Sequence, residues 1–92
     1  MELGKSIEQM VTEYKESLTT EFEAKLAVEA RIATAYTSGE IDGKNAETRK
    51  AQEVALTTEL ARAAGLAEAS RKAIEAEIGL VKAMLYSQSG RS

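Results

Sequence analysis

Ninety-two residues make one small domain, and a chain this short buries a smaller share of its surface than a longer one, so a thin core is expected. It contains no cysteine, histidine, proline or tryptophan, which removes disulfides, thiolate nucleophiles, cysteine-based zinc sites, the commonest metal ligand and the commonest general base. Fifteen acidic and twelve basic residues give a formal charge of −3 and are interspersed along the chain, a pattern that suits a solvated helix surface better than a nucleic-acid footprint.

Sixteen alanines, with abundant Glu, Lys, Arg and Leu, are the composition of long helices or coiled coils. The first predicted element covers about residues 6–37. Its larger apolar side chains fall at Ile7, Met10, Val11, Tyr14, Leu18, Phe22, Leu26, Ile32 and Tyr36, mostly three or four apart, so one helical face is apolar. Without an internal Gly or Pro, it makes a rod of roughly 48 Å.

A corner over residues 38–45 follows, "SGEIDGKN". A phosphate loop of the Walker type needs two glycines separated by four residues, then Lys and a hydroxyl, between a strand and a helix. Here only three residues separate Gly39 from Gly43, Asn45 replaces the hydroxyl, and a helix precedes the loop. In an EF-hand register Arg49 would occupy the place of the bidentate glutamate, so a calcium ion would meet a guanidinium. The remaining reading is a helix-to-helix corner. Gly39 takes the left-handed conformation that ends the first helix, and Asp42 or Asn45 caps the second. Were Asp42 the cap, Ile41 would staple onto Ala46. A connection this short makes the two helices antiparallel neighbours.

The second predicted helix covers about residues 46–86. Leu60, Ala67, Ile74 and Val81 recur every seven residues, with Ala64, Arg71, Ile78 and Leu85 four further on, the pattern of a left-handed supercoiled seam. Arg71 interrupts that pattern and is expected to snorkel to water. Small alanines in the middle of both helices allow close approach, and Gly65 and Gly79, on nearly one face, suggest a close backbone crossing that offsets their low helix propensity. The polar tail, residues 87–92, is expected to fray.

Carboxylate pairs such as Glu13 with Glu16 and Glu75 with Glu77 read as solvated surface, since no histidine accompanies them. Glu21 with Lys25 and Glu68 with Lys72 have the favourable i,i+4 order and support their helices. Tyr14, Phe22 and Tyr36 read as core or seam residues. The basic residues Arg49, Lys50, Arg62, Arg71, Lys72 and Lys82 are interrupted by acidic neighbours, so nucleic acid is an unlikely partner. No catalytic residue, metal or cofactor is expected. No apolar run reaches the roughly 18 residues that span a bilayer, and "MELGKSIEQM" lacks the apolar stretch of a signal peptide. A cytoplasmic location is therefore expected.

The segment Gly39-Glu40-Ile41-Asp42-Gly43-Lys44-Asn45, with Arg49, Ala51 and Gln52 after it and "EARIATAY" before it, resembles a corner in small helical proteins of tailed bacteriophages and prophages. The resemblance covers about residues 29–52 and implies a phage origin and a helical hairpin, with no catalytic residue attached.

The fold expected is all-α: two long antiparallel helices in a hairpin. One interface between two helices cannot cover all the large apolar groups. Ile7, Val11, Leu18, Phe22, Leu60, Ala67, Ile74, Ile78, Val81 and Leu85 are therefore expected to form a self-association seam, in a four-helix bundle or larger oligomer. The function expected is non-enzymatic protein–protein interaction, as a binder or inhibitor of a host or defence protein, with a minor phage assembly component or a weak nucleic-acid binder as alternatives.

Overall fold

The computed structural model describes residues 6–89, and they form two helices, α1 (Ile7–Ser38) and α2 (Ala46–Ser89), joined by one corner. α1 starts at a reciprocal cap. The Ser6 hydroxyl accepts the Gln9 N–H at 3.1 Å, and the Gln9 side chain accepts the Ser6 N–H at 2.9 Å, so two otherwise orphaned donors are satisfied. α2 runs three residues beyond the expected end at Tyr86. Polarity alone does not stop a helix, and no Gly or Pro lies between Tyr86 and Ser89; residues 90–92 of the expected tail lie outside the described residues.

The helices are antiparallel, and contacts between their side chains fix the register. Tyr36 donates its hydroxyl to Glu53, Lys25 pairs with Glu68, and Arg71 pairs with Glu21. The buried and half-buried residues of α1 follow alternating steps of four and three through Met10, Tyr14, Ser17, Glu21, Ala24, Val28, Arg31 and Ala35. In α2 the same rhythm runs through Glu53, Thr57, Leu60, Ala64, Ala67, Arg71, Ile74, Ile78 and Val81. This is the heptad spacing of a coiled-coil seam. The expected heptad of α2 thus faces α1 as far as Val81, while Leu85 remains 43 % exposed.

α1 presents a different face from the one its large apolar residues suggest. Ile7, Val11, Leu18 and Phe22 are all exposed, whereas Met10, Ser17 and Glu21 lie against α2. Small and polar groups interrupt the large apolar ones along the seam, and its hydroxyls are satisfied locally: Thr57 donates to the Glu53 carbonyl at 2.7 Å and Ser17 to the Tyr14 carbonyl at 2.7 Å, a local arrangement open to any helical Ser or Thr. The expected close crossing at Gly65 and Gly79 does not occur within the hairpin, because a methyl group at either position would meet nothing within 4 Å. The hairpin measures 68 × 21 × 15 Å.

Candidate interaction surface

The corner is built to close one end of the hairpin. Gly39 has φ 83°, a left-handed conformation that costs residues with a Cβ. It lets the Gly39 N–H reach the Tyr36 carbonyl at 3.4 Å and the Ile41 N–H reach the Ala35 carbonyl at 3.2 Å. Ile41 is thereby buried, with Ala35, at the closed end of the core. Asn45, and not Asp42, caps α2: its Oδ1 accepts the Thr48 N–H at 2.8 Å. Asp42 instead accepts from the Gln52 amide at 2.9 Å, so Ile41 is held by burial and its backbone bond and not through an Asp42 cap. Gln52 also accepts the Gly43 N–H at 2.9 Å, and Arg49 donates to the Gly43 carbonyl at 3.2 Å. Glu40 ties the corner back to α1 through a two-pronged pair with Arg31, at 2.8 and 3.0 Å. That guanidinium, then the Ser38 hydroxyl, holds the Glu40 carboxyl below its usual range. These polar groups of the corner are thus engaged with one another, which makes it a structural clamp.

Halfway along the hairpin, six charges of alternating sign form a chain: Lys72, Glu68, Lys25, Glu21, Arg71 and Glu75. Glu21 is its centre and is buried. Its carboxylate accepts from Arg71 and from Lys25 at 2.7 Å. The hydrogen bond from Arg71, then that from Lys25, lowers its pKa to about 2, against the cost of burial. Arg71 does not snorkel to water as expected. It stays in the seam because Glu21, facing it from α1, and Glu75 on its own helix supply the counter-charge, which raises its pKa further. Lys25 is likewise raised by Glu21 and Glu68, and Glu68 lowered chiefly by Lys25. Glu21 went unrecognised as a seam residue because its i,i+4 partner Lys25 gives a sufficient surface explanation; the available signal was its place in the stripe that holds Met10, Tyr14 and Ser17.

The apolar groups displaced from the seam stand on the sides of the hairpin. Phe22, Leu66, Leu80, Ile7 and Leu26 are among the exposed large hydrophobics, Phe22 at 67 %. Of the ten residues expected to associate, Ala67 and Val81 are buried within the hairpin and Leu60, Ile74 and Ile78 are half-buried there, while Ile7, Val11, Leu18, Phe22 and Leu85 are exposed. Tyr14 is half-buried in the seam, whereas Phe22 and Tyr36 lie outside it. A shallow groove of about 610 Å³ runs beside α1, lined by Val11, Tyr14, Lys15, Leu18, Glu75, Ile78, Gly79 and Lys82. It is apolar at its floor and rimmed by both signs of charge.

Among the described residues, no helix is long and apolar enough to cross a membrane. Fold and surface together define a class: a two-helix antiparallel hairpin with a charged seam and apolar flanks. Compared with protein-family models, curated proteins and solved structures, the chain matches none of them.

Proposed function

We propose that the chain is a non-enzymatic helical protein–protein interaction module acting through the side faces of its hairpin, with its own copies and another protein as partners. One observation carries this reading: small and charged residues such as Ser17, Glu21, Ala24 and Arg71 take places in the seam while Phe22, Leu66, Leu80 and Leu26 stand in solvent at 67, 66, 64 and 49 % exposure. Fully burying a side chain of this kind stabilises by about 1.5–3 kcal/mol, so a partner helix laid along these faces gains what the hairpin alone leaves unused. Two hairpins in a four-helix bundle are the simplest arrangement that does this. The cysteine-free composition supports the cytoplasm as the compartment. The corner resemblance supports a phage setting, where binding or inhibiting a host protein comes first and a part in assembly second. Lys25, Arg31, Arg62, Arg71 and Lys72 are each paired with a carboxylate, which reduces what they offer to phosphate, and nucleic-acid binding gains no support.

The test is capture by the immobilised chain, both of its own tagged copies and of proteins in cell extract, by wild type and by Phe22→Glu, Leu66→Glu and Leu80→Glu. At least one substitution is expected to abolish binding while the far-ultraviolet circular dichroism stays helical. A wild type that captures nothing, or binding that survives all three changes, contradicts the proposal.

A further inference from the structure

The exposed side of α1 has an order that reads almost the same in both directions from Phe22. Four residues before it stands Leu18 and four after it Leu26, exposed at 41 and 49 %. Seven before stands Lys15 and seven after Glu29, both exposed and neither with an ion-pair partner among the described residues. Eleven before and after stand Val11 and Ala33, again apolar and exposed. Steps of seven keep Lys15, Phe22 and Glu29 on one line of the helix, and steps of four place the leucines beside that line. A charge pattern that is opposite in sign about an apolar centre is complementary to itself when reversed.

Resting on the reading of the chain as an interaction module, we infer that the occupant of this face is a second copy. The two α1 helices lie antiparallel about a twofold axis through Phe22. Phe22 then meets its own counterpart, Leu18 shares a layer with the partner subunit's Leu26, and Lys15 reaches the partner subunit's Glu29 on both sides of the axis. The area agrees. The chain exposes 6861 Å², whereas a compact monomer of 9.9 kDa exposes about 5,200 Å². The surplus of about 1,700 Å² exceeds the roughly 800 Å² that each partner contributes to a standard interface. A parallel arrangement would set Lys15 against Lys15 and Glu29 against Glu29, so charge selects the antiparallel one.

Charge exchange and cross-linking test this register in the intact protein. Lys15→Glu and Glu29→Lys, each alone, place like charges opposite one another twice per dimer and are expected to weaken dimerisation roughly tenfold by sedimentation; the double exchange restores it to within about threefold. Since the chain has no cysteine, Phe22→Cys under mild oxidation is expected to give a disulfide-linked dimer, because facing helices at about 8–10 Å bring these Cα atoms within disulfide range. Ala73→Cys, on the exposed side of α2, is the control. A wild-type dimer in which the double exchange fails to rescue, or in which Phe22→Cys links no faster than Ala73→Cys, overturns the register and leaves the interaction-module reading standing. A wild type that stays monomeric at every concentration overturns the second copy as occupant, and capture of another protein then decides the module reading separately.

Discussion

At Gly43 there is no room for a methyl group. A Cβ there would stand 2.8 Å from Thr48 Cγ2 and 2.9 Å from the Arg49 nitrogen, so the corner backbone lies directly on the first turn of α2. Gly39 has the opposite constraint, open space but a φ of 83°. Gly43→Ala is expected to lower stability by about 1–3 kcal/mol through overpacking, and Gly39→Ala by about 1–2 kcal/mol through its backbone, both read from urea denaturation. Gly39→Asn should cost less than Gly39→Ala, since Asn tolerates the left-handed region. Glu21 makes acid stability the second test at this scale. Its pKa falls from an ordinary 4.5 to about 2 in the folded chain, so its stabilisation is complete above the ordinary value and lost as pH drops toward 2. Glu40 and Glu68, lowered by Arg31 and Lys25, act in the same direction. The melting temperature is therefore expected to fall progressively from about pH 5 to pH 2, and Glu21→Gln to melt lower at pH 7 with a shallower fall in acid. An acid profile identical in wild type and Glu21→Gln would contradict this role for Glu21.

Both helices and their corner were legible because each has a local physical cause: unbroken three-four periodicity, a glycine able to turn left-handed, and side-chain caps. The rotation of α1 was not. Hydrophobicity marks the residues that gain from burial but does not say against what they are buried. In α1 two stripes run side by side, one with Val11, Leu18 and Phe22 and one with Met10, Ser17 and Glu21, and the less apolar one faces α2. The reason is long-range: Glu21 meets Arg71, and the ties of Arg31 to Glu40 and of Tyr36 to Glu53 hold the end of α1 at a set angle to the corner. Arg71 stands 50 residues from Glu21 and Glu53 stands 17 from Tyr36, so the stripe's own sequence does not show the partners that orient it. Gly65 supplies a test within one element. With nothing near its missing Cβ, Gly65→Ala is expected to stabilise the protein by about 1 kcal/mol by raising helix propensity, measured by thermal or urea denaturation. A loss of stability would mean that another chain packs there.

The whole molecule is a rod. Its radius of gyration is 20.0 Å, against about 12 Å for a compact domain of this length, and its buried apolar core among the described residues consists of Met10, Ala35, Ile41, Ala64, Ala67 and Val81. Three of these are alanines, which contribute little area. A rod with so slight a core and exposed Phe and Leu on its sides has most to gain from lateral association, and the central claim is that the chain associates in this way with its own copies. Sedimentation velocity over a wide concentration range tests it most directly, on wild type and Phe22→Glu together. The expected result is a wild-type species of twice the 9.9 kDa chain mass, reduced to a helical monomer by Phe22→Glu; a wild type that remains monomeric throughout, or a dimer indifferent to that substitution, would contradict it.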